Sequence, residues 1–347
     1  MQNGSVKYID AITGLRTIAV LVVFLCHSYP DLVPGGFIGV DVFFVISGYL
    51  ITSILLKEVA RSGTISIAGF YRRRALRILP ASLFCTLIVY LLGRNLLQYQ
   101  GENADLNAAA SAFSFMNWLR AFSSTTGGAL GHYWSLAVEE QFYAFWSLIV
   151  LAVTAQRSAR SVPKVAAVLL ILSILWRTYL WMSGADADRL YNGLDTHCDG
   201  LLIGCMIAGL QDHLAKTGIS SLWPLAAVAF AVELFVFEAE SQWLWLYILT
   251  ASLTAGLIVT SAIATGNPLA RLLATKPLVF LGKRSYSFYL WHLPIISFFF
   301  ASGISRSLWI VPSFILCLIL SELSYRLIER PFLQFKDRAG STGIAAA

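Results

Sequence analysis

The sequence predicts an all-α fold: a polytopic integral membrane helix bundle of about ten transmembrane helices, with both termini cytoplasmic. Three observations predict it. Only 13% of the 347 residues are Asp, Glu, Lys or Arg and 57% are hydrophobic, at a mean hydropathy of +0.70, whereas soluble domains carry roughly 25% charge. Uncharged runs are long, thirty residues from Ser241 to Ala270 and twenty-one from Ser285 to Ser305, and about 20 helical residues cross a hydrocarbon core. Finally, the basic residues fall in alternate connections. A soluble globule is excluded. So is a nucleic-acid binder, because the net charge of +6 is accounted for by topology. Cys26, Cys85, Cys198, Cys205 and Cys317 are odd in number and scattered, which suits neither a disulfide framework nor a zinc site.

The expected spans are residues 11–29, 37–57, 78–97, 134–154, 165–182, 198–211, 221–238, 244–264, 285–301 and 308–328. Connections after even-numbered spans hold Lys57, Arg61, Arg72, Arg73, Arg74 and Arg77, then Arg157, Arg160 and Lys164, then Lys216, then Arg271, Lys276, Lys283 and Arg284, then Arg330, Lys336 and Arg338. These are placed on the cytoplasmic side. Odd-numbered connections hold Asp31, Glu102, Asp105, Asp186, Asp188, Asp195 and Glu240, with few bases beyond Arg120, Arg189 and Arg306. The first span contains Arg16 and lacks a small-residue cleavage site after it, so it reads as an uncleaved anchor. Residues 104–122, left without a crossing, read as a helix on or dipping into the outer face. Residues 1–335 are expected as one membrane-embedded domain, with 336–347 a short disordered cytoplasmic tail; the nineteen residues after Ile328 are too few for a further domain.

Charged groups inside spans cost about 2.5–3.5 kcal/mol each near a helix centre and so need a reason. In the first span Arg16 and His27 are eleven residues apart, three helical turns, on one face and roughly 16 Å from each other. A snorkelling arginine with an interfacial histidine gives the same pattern. The second span, GFIGVDVFFVISGYLIT, buries Asp41 and sets Ser47 and Gly48 deeper; small residues permit close helix approach, and Asp41 could pair with His27. In FYRRRALRILP, Arg73, Arg74 and Arg77 stack on one helical face, suiting a pyrophosphate or an ordinary anchor beside anionic lipid. WSLAVEEQFY places Glu139 and Glu140 just after Trp134, and neighbours on a helix cannot share one direction. His132 lies just outside. Asp195, His197 and Asp199 in LDTHCDG give only a weak metal signal, and the ninth span holds Tyr286, Tyr289 and His292. No P-loop, dinucleotide turn, nucleophile elbow or zincin motif competes.

With these residues in view, the chain resembles the membrane-bound acyltransferase family 3, integral membrane O-acyltransferases typified by enzymes that acetylate bacterial surface polysaccharides. The carrying segments are the Arg16 to His27 spacing, GGFIGVDVFFVISGYLIT, FYRRRALRILPA, WSLAVEEQFY, THCDGLLIG, FLGKRSYSFYLWHLPI and SYRLIERPF, which run in family order over residues 8 to 332. The resemblance implies a cytoplasmic acyl-CoA donor, acetyl-CoA in particular, and a hydroxyl acceptor on a glycan or lipid-linked saccharide at the opposite face of a bacterial inner membrane. It implies no permanently bound cofactor and no metal. Its partners are the donor, the acceptor and membrane lipids, with no nucleic acid. By matching position, Arg16 and His27 are the essential pair, Arg73, Arg74 and Arg77 the donor-binding motif, and Glu139 and Glu140 the acidic pair. Asp41, Ser47, Trp134, Asp199, Tyr286, Tyr289 and His292 are expected to line the cavity or meet the acceptor. One departure is visible: His197 stands where the family carries Arg.

The chemistry expected from these groups follows. The donor's phosphates stay at the arginines while its thioester threads along the Arg16 face. His27 deprotonates the incoming hydroxyl or accepts the acyl group first, with Glu139 or Glu140 fixing its tautomer. A transporter or flippase of an anionic or lipid-linked solute is the alternative from another class, and it moves substrate without consuming acyl-CoA.

Overall fold

A computed structural model describes residues 9–93, 103–156, 158–238, 241 and 243–334. Among these the fold is all helix. In chain order the helices are α1 (Asp10–Ser28), α2 (Gly39–Ser62), α3 (Ile67–Leu92), α4 (Ala104–Ala112), α5 (Met116–Phe122), α6 (Tyr133–Gln156), α7 (Val162–Met182), α8 (Ala187–Asn192), α9 (Asp199–Thr217), α10 (Trp223–Val236), α11 (Leu244–Ile263), α12 (Pro268–Leu273), α13 (Lys276–Gly282), α14 (Ser285–Ala301) and α15 (Arg306–Ser324). Among the described residues eight helical stretches are long and apolar enough to cross a membrane, and they match eight of the ten expected spans. The other two are also helical. However, α14 has 17 residues, and α9 ends in the polar run from Gln211 to Lys216.

Two expectations shift, and a third lies beyond what the structure describes. The third helix begins at Ile67 rather than near 78, because Ser66 caps it, its Oγ accepting from Gly69 N at 3.3 Å; the arginine segment therefore lies inside this helix. Residues 104–122 form two short helices, separated where Ser114 takes a φ of +56°. At nine and seven residues each is about 10–14 Å long and cannot cross. Residues 94–97 and the expected tail 336–347 lie outside the described residues.

The chain packs as two compact units, one formed by the residues up to Ile65 with Val138–Lys283, the other by Ser66–Ala137 with the residues from Arg284 onward. In the first unit, α2 is the most enclosed span and packs most extensively on α9. Glycine makes this possible: a Cβ on Gly48 would sit 1.9 Å from the Leu201 carbonyl oxygen, and one on Gly204 2.2 Å from that of Val45. Around that seam Ala19, Val42, Val45, Ile46, Ile203, Ala255 and Val259 form the core. The outer helices invert the pattern. Val168, Ile171, Leu172, Leu175 and Tyr179 of α7, and Leu225, Val228, Val232 and Phe235 of α10, are exposed at helical spacing. Apolar stripes of that extent suit lipid rather than water.

In the second unit, α14 packs on α15 and on α3. Tyr286 donates to the Ile78 carbonyl at 2.8 Å, and Tyr133 donates to that of Ser82 at 3.0 Å. The last expected span ends in a π-helical turn, Tyr325–Glu329, where Glu329 accepts from Ser287.

Candidate active site

His27 sits exposed in the last turn of α1. Its Nδ1 lies 2.9 Å from the Val23 carbonyl oxygen. A carbonyl can only accept, so Nδ1 carries the hydrogen, and a neutral ring has its lone pair on Nε2. At Nδ1 a backbone carbonyl thus plays the tautomer-fixing part that the sequence reading gave to a carboxylate. Arg16, three turns away, rests its guanidinium over the Phe43 ring at 5.9 Å. Among the described residues no carboxylate pairs with it. The face between the two is closed: Val20 and Val23, which share it, are both 0% exposed. The expected path for a thioester along that face is therefore filled with apolar packing.

The helix pair fixes the level of each group. Gly36 abuts Val22 and Cys26, and Gly39 abuts Ala19, Val22 and Val23, so α2 runs back alongside α1. Phe43 is then level with Arg16, and Ser47 lies one turn beyond it. Ser47 donates to Glu139 Oε1 at 2.7 Å, and Tyr143 donates to Oε2 at 3.1 Å. Glu139 is thus roughly 20 Å along the helix axis from His27. Tyr143, Trp134 and Phe142 are all buried, which places them away from any lipid-facing aromatic belt. Glu140 is half-buried on the neighbouring direction of α6.

In the second unit, Arg73, Arg74 and Arg77 occupy the first three turns of α3. A separate buried cluster joins the start of α6 to α14. Tyr289 OH and Ser135 Oγ are 2.7 Å apart, and Tyr289 also donates to the His132 carbonyl at 3.0 Å. His132 Nε2 donates to the Leu290 carbonyl at 3.1 Å, His292 Nδ1 donates to that of Tyr289 at 2.5 Å, and the two imidazoles are 5.0 Å apart. Sequence reasoning found Tyr289 and His292 but not Ser135, a residue of neutral type whose role only the fold reveals.

Residues 9–325 match the model of the acyltransferase domain family, Acyl_transf_3. The chain belongs to this family. The O-acetyltransferase OatA of Staphylococcus aureus strain NCTC 8325 is 33% identical over 351 residues, covering 94% of this chain and 57% of the relative. OatA of strains MRSA252 and MW2 matches to the same extent. The chain therefore spans a little over half the length of these curated relatives. No solved structure matches it.

Seen within the acyltransferase family, the segment carrying the one departure is a set of charge staples. Asp195 is paired with Arg189 at 2.5 Å and Asp199 with Arg177 at 2.5 Å, and His197 Nε2 lies 3.1 Å from Asp41 Oδ1. Three alternate residues at the entry to α9 thereby clamp α8, α7 and α2. Asp41 is thus held by His197, and by Ser252 Oγ at 3.1 Å, some 12 Å along the helices from His27. His197 Nδ1 donates to the Tyr191 carbonyl at 2.6 Å. The imidazole is thereby held between the Tyr191 carbonyl and the Asp41 carboxyl. Among the described residues no group of three His, Cys, Asp or Glu could hold a metal ion. Arg177 and Glu233, which accepts from Thr254 at 2.8 Å, went unread in the sequence although both are ionisable groups inside expected spans, the signal that should have found them.

Proposed function

We propose that this acyltransferase-family chain moves an acyl group, acetyl in particular, from cytoplasmic acyl-CoA to a hydroxyl of a glycan or lipid-linked saccharide on the far side of a bacterial cytoplasmic membrane. The donor's phosphates bind Arg73, Arg74 and Arg77, whose guanidinium forks suit phosphate oxygens. His27 works on the acceptor side. Its Nε2 takes the proton of the incoming hydroxyl as the oxygen attacks the acyl carbon, and the proton ends on the departing thiolate; alternatively Nε2 takes the acyl group first and passes it on. Arg16 balances negative charge on the donor.

The observation that carries this reading is the Nδ1 hydrogen bond to Val23, which leaves an exposed ring in the tautomer a base or nucleophile requires. Purified protein in lipid nanodiscs should release free thiol from acetyl-CoA. His27→Ala should lower that rate at least about 100-fold with expression unchanged. Full turnover in that variant would remove His27 from the chemistry, and substrate movement across vesicles with no thiol released would favour a transporter.

A further inference from the structure

The first half of α3 turns two of its arginines inward. Phe70 and Ala81 are 2% and 1% exposed, and Arg74 and Arg77 fall between them at helical spacing, so the four share the face that packs into the second unit. Both arginines are half-buried, and the Arg74 Nε atom is shut off from solvent. An arginine that anchored this helix among lipid headgroups would lie on the opposite face, where Arg72, Leu79 and Leu83 are exposed. The π-helical turn Tyr325–Glu329 packs on α3. Its Glu329 is 7% exposed and accepts from Ser287, which is 0% exposed. Next to Ser287, Tyr286 donates to the Ile78 carbonyl at 2.8 Å, so the Glu329 carboxylate lies within about one helical turn of the Arg77 level of α3.

A carboxylate taken out of water needs a countercharge as well as a hydroxyl donor. The other cations at this end of the unit are committed or turned away. Arg284 and Arg326 both donate to Glu322, and Arg330 is exposed beside Glu329. Arg74 and Arg77 are the inward-facing cations of this layer. We infer that Glu329 is a positioning residue of the donor-phosphate site: ion pairing with Arg74 and Arg77 holds their guanidinium forks in one arrangement before the nucleotide arrives, and Ser287 fixes the carboxylate. Forks held ready in this way lose less side-chain freedom when a phosphate binds. The inference rests on the acyl-CoA reading above, and it gives a role to the buried carboxylate of SYRLIERPF.

Two donors isolate the phosphates: acetyl-CoA, and S-acetylpantetheine, which lacks the nucleotide. Thiol release from each is measured in lipid nanodiscs with wild type, Glu329→Gln, Ser287→Ala, the double variant Arg74→Ala/Arg77→Ala and the triple variant that adds Glu329→Gln to it. Glu329→Gln should raise KM for acetyl-CoA about tenfold with kcat within about twofold, and it should leave the kinetics with S-acetylpantetheine unchanged. In the arginine background the added Glu329→Gln should change KM no further, because residues that act through one another are not additive. A Glu329→Gln effect that is equal for both donors, is confined to kcat, leaves KM unchanged or lowered, or persists in full in the arginine background overturns the positioning role and leaves acyl transfer standing. A wild-type protein that consumes neither donor overturns the acyl-CoA reading itself. Should Glu329→Gln fail to fold, Ser287→Ala keeps the charge and removes only its hydroxyl anchor. KM for acetyl-CoA should then rise about threefold with S-acetylpantetheine unaffected, and any other pattern overturns the role.

Discussion

Arg177 and Asp199 are each 0% exposed and joined by two hydrogen bonds, at 2.5 and 3.0 Å. Removing one partner strands a charge, which costs about 3–5 kcal/mol, whereas replacing both with apolar groups of similar volume is often neutral. Arg177→Met should therefore destabilise the protein by about 3–5 kcal/mol in detergent thermal unfolding, and Arg177→Met with Asp199→Leu should recover most of it. The same logic applies at His197. Both ring nitrogens face acceptors, Nδ1 the Tyr191 carbonyl and Nε2 the Asp41 carboxyl. His197→Arg should keep the melting temperature within a few degrees. His197→Ala, which leaves Asp41 buried beside Ser252 alone, should lower it well beyond that; equal melting points would mean that Asp41 needs no countercharge.

At the scale of elements, the α2 and α9 seam is set by backbone approach rather than by side-chain attraction. A β-branched residue at Gly48 meets the Leu201 carbonyl, which cannot retreat without moving α9. Gly48→Val should cost about 1–3 kcal/mol or more, read as a lower melting temperature with thiol release falling in parallel. The periodic patterning that marked spans in the sequence also marks their outer faces: on α3 Leu79, Leu83, Leu87 and Leu91 are exposed one turn apart, as are Val311, Ile315, Ile319 and Leu323 on α15. Ser47 and Gly48 divide two tasks that small residues alone left undistinguished. The glycine admits the neighbouring helix, and the serine reaches Glu139.

Over the whole molecule, donor phosphates and acceptor hydroxyl are assigned to different chemistry, and the two should separate kinetically. Arg74→Ala/Arg77→Ala should raise the apparent KM for acetyl-CoA about tenfold or more, since hydrogen bonds to charged groups contribute about 1.5–3 kcal/mol each. An unchanged KM would return those arginines to anchoring in anionic lipid. Composition and hydropathy were enough to read an all-helical membrane bundle and eight of its ten expected spans, because burial in lipid and helical periodicity act on residue types along the chain itself; the family was legible only as a resemblance carried by seven ordered segments. Which carboxylate meets which partner was not legible there. Asp41 faces His197 across 156 positions and Glu139 faces Ser47 across 92, pairings that sequence spacing does not encode. The closure of the Arg16 to His27 face by Val20 and Val23 belongs with them: helical spacing put the charged groups on one side of α1, but only packing by other helices decides whether that side is open.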